Sequence, residues 1–254
     1  MVSTSSDLSD SMPLAFLRPR RIRSFDLILF VIMCVVLFAG AIGLVYILEL
    51  QPRILEAARD PEGSPATFVT ILAVLFLLVL LAAFIAVARH GLTAPWLLGF
   101  RHASIEWWLG SMLGMVLLSM FLATIAIPAL EHFIGIEGKI STSELVRQIL
   151  PSRWAAVIAT VVIGILAPFT EEFVFRGMLF GWLIGRFPGW VAVVGSAVVF
   201  GLAHIQPLHA VMAGCLGLWL GFVRLRAGSI GPCILAHIVN NTVFVWALHL
   251  FPTM

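Results

Sequence analysis

Long apolar stretches without charge limit what this chain can fold into. Residues 27–48 and 67–88 are each long and apolar enough to cross a bilayer as a helix. Hydrocarbon offers the backbone no hydrogen-bonding partner, so a spanning segment must form its bonds internally. Hydrophobic residues make up 61% and charged residues 11% of the 254 positions, against about 45–50% and about 25% in soluble domains. The pattern predicts an all-α, polytopic transmembrane helical bundle.

We predict seven or eight spans, and the uncertainty concerns one short segment. Residues 178–187 are apolar, but they either continue the preceding helix or form a separate half-span. Pro168 is expected to kink that preceding helix just before an acidic pair. The other predicted spans cover residues 27–48, 67–88, 105–129, 153–169, 190–204, 207–224 and 232–250.

Basic residues predict the orientation of the chain. The tail, residues 1–24, ends in arginines at positions 18, 20, 21 and 23, and the connection 89–103 contains Arg89 and Arg101 but no acid. Both segments are therefore expected on the cytoplasmic side of a plasma or inner membrane. The first apolar run is too long for a signal-peptide core.

The same pattern divides the chain into three parts. We predict a cytoplasmic N-terminal tail over 1–24, transmembrane helices with an interfacial segment over 25–152, and a transmembrane core over 153–250. The interfacial segment is expected to contain a short helix near residues 142–150, capped by Ser141 or Ser143. We detect no internal repeat and no second soluble domain.

Two adjacent carboxylates and an arginine lie inside apolar sequence. Residues 154–169 and 178–185, on either side of them, contain no charge. An ionisable group at membrane depth costs about 2.5–3.5 kcal/mol on insertion scales, and therefore indicates a functional site. Glu172 and Arg176, four residues apart, are expected to pair on one helix face. Glu171 projects about 100° away, so one carboxylate is expected to face Arg176 and the other the imidazoles.

Histidine and asparagine side chains in later apolar segments could complete a hydrolytic site. They are His204, His209, His237 and Asn241. A carboxylate and a histidine can hold and deprotonate a water, while a second histidine and an amide can donate hydrogen bonds to an oxyanion. No serine or cysteine adjoins them in a nucleophile motif. The set therefore predicts hydrolysis of a carbonyl compound by activated water rather than through an acyl-enzyme.

A metal site is an alternative at the same positions. Glu171, His204 and His237 could bind Zn²⁺ and leave one coordination position open. The motif H-E-x-x-H is absent, and the three cysteines fall in apolar segments without zinc-finger spacing. The cofactor therefore stays unknown, with Zn²⁺ or none as the two possibilities.

The spacing of these residues resembles that of the CPBP intramembrane proteases, which include CAAX prenyl endopeptidases and bacteriocin-processing and immunity relatives. The resemblance covers roughly residues 153–250. It rests on three motifs in the family's order: Glu171-Glu172-x-x-x-Arg176, Phe200-x-x-x-His204 and His237-x-x-x-Asn241.

The resemblance implies an all-helical membrane fold with a site in a cavity open to the cytoplasm. It implies that Glu171 and His204 position and activate the water. It further implies that Glu172 and Arg176 support the site and that His237 with Asn241 forms the oxyanion hole. Family members have been regarded both as glutamate-type and as metal-dependent enzymes.

The resulting hypothesis is an intramembrane endopeptidase that cleaves a membrane-associated protein or peptide, prenylated in the manner of a CAAX protein or not. Its expected partners are the lipid bilayer and that substrate, with no nucleic acid. One alternative is a transporter or channel with a Glu/Arg/His relay, although pseudo-symmetric halves, common in transporters, are not evident. Another is a catalytically inactive scaffold or immunity protein.

Overall fold

The described part of the chain is a bundle of helices. The computed structural model describes residues 21–59, 65–134, 150, 152–204 and 206–251, and contains no strand within them. The helices are α1 Ser24–Ile47, α2 Gln51–Arg59, α3 Pro65–Ala88, α4 Ala94–Leu98, α5 Ile105–Ile134, α6 Arg153–Ile184, α7 Gly189–Leu202, α8 Pro207–Ala227 and α9 Gly231–Leu250.

The predicted all-α transmembrane bundle is confirmed. Six of the described helices, α1, α3, α5, α6, α8 and α9, are long and apolar enough to cross a membrane. The prediction was seven or eight. Residues 178–184 continue α6 without a break, so the separate half-span was wrong, and α7 is apolar but has only 14 residues. The helix predicted near residues 142–150 and its caps lie outside the described residues, apart from Leu150, which is buried.

Local sequence accounts for several helix ends. The Ser152 hydroxyl accepts a hydrogen bond of 3.2 Å from the Ala155 amide and so caps the start of α6. Helix α8 ends at Gly228, whose φ of 65° is the left-handed conformation that glycine adopts most readily at a helix C-terminus. Pro232 lies in the first turn of α9, where its missing N–H leaves no bond unmade.

Helix α6 changes its winding twice around the charged stretch. The α-helical segment Ala167–Glu172 lies between π-helical segments at Thr160–Leu166 and Phe173–Leu179. Pro168 follows directly on the first of these wide turns, at the point where the sequence predicted a kink. Such π turns are rare and are frequently found at functional sites.

Burial is concentrated in the C-terminal helices. In the most apolar stretch of α1 no residue is buried, whereas 44% of the corresponding stretch of α6 is buried. Helix α1 packs against α3 and leaves side chains such as Val35 and Tyr46 exposed, as lipid contact requires. Helices α7 and α8 pack closely along one another, and α9 contacts α5 and α6.

A buried carboxylate joins the start of α1 to the end of α3. Asp26 is fully buried and lies 2.6 Å from Nη2 of Arg89. It also accepts hydrogen bonds from Nε of Arg89 at 2.7 Å and from the Arg23 amide at 2.7 Å, and it lies 3.1 Å from Nε2 of His90. The charge of Arg89 is therefore matched inside the protein, which the positive-inside interpretation did not predict.

The close approach of α7 and α8 depends on glycine. A Cβ on Gly201 would lie 2.7 Å from the Ala210 carbonyl oxygen and 3.1 Å from Cα of Gly214, both backbone atoms. We expect Gly201→Ala to lower the free energy of unfolding by about 1–3 kcal/mol through overpacking, as measured by denaturant unfolding in detergent. Gly40→Ala in α1 is the matched control, since nothing lies within 4 Å of its added Cβ. Equal effects of the two changes would contradict the prediction.

Candidate active site

The centre of the candidate site is a fully buried ion pair. Arg176 donates from Nη1 to Oε1 of Glu172 at 3.0 Å, and neither side chain is exposed. Arg176 also donates from Nη2 to the Gly217 carbonyl of α8 at 3.1 Å. Its guanidinium lies 4.3 Å from the centre of the Phe200 ring. The pairing predicted from the four-residue spacing is confirmed, and the pair links α6 to α7 and α8.

His237 lies between the two carboxylates. Its Nδ1 is 2.9 Å from Oε1 of Glu172, and its Nε2 is 3.7 Å from Oε2 of Glu171. The expected division is therefore found only in part: Glu171 faces the imidazoles and Glu172 faces Arg176, but Glu172 also contacts His237. Oε1 of Glu172 accepts a hydrogen bond from Arg176 and also contacts Nδ1 of His237. The imidazole ring of His237 projects from α9 with one nitrogen on each side, so it contacts both carboxylates.

Glu171 and Glu172 differ in their access to solvent. The side chain of Glu171 is 18% exposed, whereas that of Glu172 is completely buried. Glu171 is also within electrostatic range of His204. Of the two carboxylates, Glu171 is therefore the one placed to touch a water or a ligand.

The orientation of His204 is fixed by the backbone of its own helix. Its Nδ1 lies 2.9 Å from the Phe200 carbonyl oxygen. A carbonyl only accepts hydrogen bonds, so Nδ1 holds a hydrogen, and in the neutral ring Nε2 is the nitrogen that can accept a proton. The ring of His209, at the start of α8, lies 4.6 Å from that of His204.

Asn241 contacts the first wide turn of α6. Its Nδ2 donates to the Ile163 carbonyl at 3.2 Å, and Nδ2 of Asn240 donates to Asn241 Oδ1 at 3.3 Å. Between the described residues, no hydrogen bond joins Asn241 to His237. The amide of Asn241 has a second N–H, so its role as an oxyanion donor stays a prediction.

The candidate metal ligands do not form a ready coordination set. Among the described residues, no three His, Cys, Asp or Glu side chains are grouped so that they could hold a metal ion. Nδ1 of His237 is taken by Glu172, and Nδ1 of His204 by a backbone carbonyl. Nε2 of each ring is the nitrogen left for a ligand, so binding of Zn²⁺ by Glu171, His204 and His237 stays a prediction, and we derive no step through a metal.

Three residues without a predicted functional role support the site: Phe200, itself a motif position, and Gly217 and Arg224, which lie outside the motifs. The Phe200 ring lies 4.8 Å from the His204 ring and 6.0 Å from the His237 ring, and so packs between them. A Cβ on Gly217 would lie 3.2 Å from Nη2 of Arg176, so glycine permits that approach. Arg224 donates from Nε to the Arg176 carbonyl at 3.3 Å.

Similarity to known proteins is found in the part of the chain that builds this site. The family described as "Type II CAAX prenyl endopeptidase Rce1-like" matches residues 153–243. Residues 153–243 are therefore similar to this Rce1-like family, over about a third of the chain. The seven named residues of the predicted motifs all lie within this range, and the resemblance to the CPBP proteases is confirmed.

A curated protein is also similar to part of this chain. The protein named "Putative membrane peptidase YdiL" of Bacillus subtilis (strain 168) is 32% identical over 124 residues. The aligned part is 49% of this chain and 50% of the relative, so the match spans half the length of that protein. No solved structure matches the chain.

Proposed function

We propose that this protein is an intramembrane endopeptidase that hydrolyses a peptide bond of a membrane-associated protein or peptide. The observation on which the proposal depends is the difference between its two carboxylates. Glu171 is partly exposed and lies near two histidines, while Glu172 is buried in an ion pair beneath it. The Rce1-like assignment and the name of the relative support the same reaction class.

The charges of the site balance one another. Both nitrogens of His237 face carboxylate oxygens, which only accept hydrogen bonds when ionised, and we therefore propose the imidazolium form of this ring. Two carboxylates, one guanidinium and one imidazolium then sum to zero charge. A buried set of charges is tolerated when each is paired in this way. We propose that Glu171 is ionised, as a proton acceptor must be.

The proposed reaction uses a water held by Glu171 and Nε2 of His204. The water oxygen attacks the scissile carbonyl carbon as its proton passes to this pair. The developing oxyanion accepts hydrogen bonds from the amide of Asn241 and from Nε2 of His237, whose 3.7 Å contact with Glu171 is too long to be a hydrogen bond. The C–N bond then breaks, and the proton taken from the water leaves with the amine. The products are a carboxylate and a free amine.

The proposed substrate reaches the site from within or beside the membrane. The family description names a CAAX prenyl endopeptidase, and a prenylated membrane protein is one candidate class of substrate. The basic segments around Arg23, Arg101 and Arg226 lie at helix ends that we assign to the cytoplasm by the positive-inside rule. Cleavage is then expected closer to that face.

The function is tested by comparing cleaved membrane proteins in cells that express the wild-type protein or His204→Gln. New protein termini found only with wild type define candidate substrates, which are then assayed as peptides with purified protein in vesicles. We expect a rate about 10²–10⁴-fold lower in the variant, as for loss of a general base. His132→Gln, an exposed histidine at the end of α5, is the matched control.

Three other outcomes of these measurements would each contradict part of the proposal. Full activity of His204→Gln would remove the assigned role of this residue. A metal found at one ion per chain, and required for cleavage, would overturn the metal-free activation of water. Ion or proton flux in vesicles without any cleavage would favour the transporter hypothesis instead.

A further inference from the structure

The side-chain amide of Asn241 is held in one orientation by a backbone carbonyl of α6. Its Nδ2 donates to the Ile163 carbonyl at 3.2 Å. A carbonyl oxygen only accepts hydrogen bonds, so the NH₂ end of the amide must face it. Turning the amide end for end would place two oxygen atoms against each other. The Ile163 carbonyl therefore decides which end of the Asn241 amide faces α6.

The Ile163 carbonyl is available because the first wide turn of α6 leaves it without a donor from its own helix. In an α-helix it would accept from the Ala167 amide, four residues further along the chain. That amide donates instead to the Val162 carbonyl, five residues back. The residue five positions beyond Ile163 is Pro168, which has no N–H. The side chain of Asn241 thus satisfies a carbonyl that the helix itself does not.

Helix α9 approaches this turn closely enough for the contact. A Cβ on Gly164 would lie 2.9 Å from Oγ1 of Thr242 on α9, so the absence of a side chain at Gly164 permits the approach. Thr242 directly follows Asn241, and the contact therefore holds this part of α9 against the wide turn.

Asn240 fixes the other end of the same amide. Its Nδ2 donates to Oδ1 of Asn241 at 3.3 Å, and Asn240 is buried. The amide nitrogen of an asparagine carries two hydrogens. One hydrogen on Nδ2 of Asn241 is used by Ile163, and Oδ1 accepts from Asn240. A single N–H of Asn241 is therefore left for a ligand, on an amide that is fixed at both ends.

We propose that Asn240 is a positioning residue, which orients the amide of Asn241 so that its remaining N–H can donate to the oxyanion of the reacting peptide. This inference rests on the proposed function, in which Asn241 is an oxyanion donor. A donor that is aligned before the reaction stabilises the transition state without reorganisation, and a displacement of about 1 Å can cost about 10²-fold in rate. Loss of Asn240 should therefore slow the chemical step and leave substrate binding unchanged.

The test is a double-mutant cycle in kcat and KM with the purified full-length protein in vesicles. The substrate is a peptide defined by protein termini that appear only with wild type. Asn241→Leu removes the donor and should lower kcat about 10²–10³-fold. Asn240→Leu nearly keeps the shape of the side chain but cannot donate, and should lower kcat about 10–10²-fold with KM unchanged. The double variant should be no slower than Asn241→Leu, because Asn240 acts through that amide.

The matched control is Ser111→Ala. Ser111 is also buried and also bonds α9, since its hydroxyl donates to the Pro232 carbonyl at 3.1 Å. We expect its kcat to equal that of wild type. A loss of kcat in this control as large as in Asn240→Leu would overturn the proposal, because any broken buried hydrogen bond would then have the same effect. Losses that multiply in the double variant would also overturn it.

Failure of this inference and failure of the proposed function give different results. If His204→Gln and Asn241→Leu lose cleavage while Asn240→Leu keeps the kcat of wild type, the peptidase reaction stands and the role of Asn240 is overturned. If wild type cleaves no peptide, both are overturned. Should Asn240→Leu fail to fold, Asn240→Ala removes the same donor and is carried through the same cycle.

Discussion

Replacing Glu171 with glutamine is expected to lower the rate of peptide cleavage by about 10²–10⁴-fold while the protein stays folded. Glutamine has nearly the same shape as glutamate but cannot accept the proton of an attacking water. The side chain of Glu171 is partly exposed and makes only a 3.7 Å contact with His237, so its stabilising role is small. The measurement is kcat for a peptide substrate at saturation, together with the unfolding midpoint in the same detergent.

The control for this variant is Glu106→Gln. Glu106 lies in the first turn of α5 and is exposed, so the same chemical change occurs there away from the site. We expect its kcat to equal that of wild type. An unchanged kcat in Glu171→Gln would exclude this carboxylate as the base, whereas loss of kcat together with loss of fold would mean that its role is structural.

Arg176→Met is expected to destabilise the protein by about 3–5 kcal/mol, because it leaves the carboxylate of Glu172 buried without its main partner. Both side chains are completely buried. The double variant Glu172→Gln/Arg176→Met removes both charges, and should recover a large part of that loss. The measurement is the free energy of denaturant unfolding for both single variants and the double variant.

Arg226→Met provides the comparison for this series, since it removes an exposed arginine. We expect it to change the free energy of unfolding by no more than about 0.5 kcal/mol. Additive losses in the double variant would mean that Glu172 and Arg176 do not interact, contrary to their 3.0 Å hydrogen bond. Activity is a poor measure for the variants at Glu172 and Arg176, because Glu172 also contacts His237.

The features that depend on short sequence distances could be predicted. Runs of about 20 apolar residues specify a membrane helix, and the four-residue spacing of Glu172 and Arg176 specifies one helix face. The bridging position of His237 could not be predicted in the same way. It depends on how α9 packs against α6, and the sequence pattern of each helix is compatible with several packing angles.

Contacts between distant segments were missed for the same reason. Asp26, Arg89 and His90 form one buried cluster, although 63 residues separate the acid from the arginine. In the sequence, each of them is simply a polar residue at the end of an apolar run. The continuation of α6 through residues 178–184 was likewise undecided, because a short apolar segment can be either the end of a helix or a span of its own.

The wide turn at Thr160–Leu166 has a consequence for comparing homologous chains. A residue advances about 100° around an α-helix, so one residue more or less in that turn rotates all that follows by that angle. Glu171 would then point away from His237, even though every motif residue was still present. The number of residues in this turn therefore matters as much for catalytic geometry as the presence of the acidic pair. A homologue with a one-residue gap at this turn would keep the signature and misalign its carboxylates.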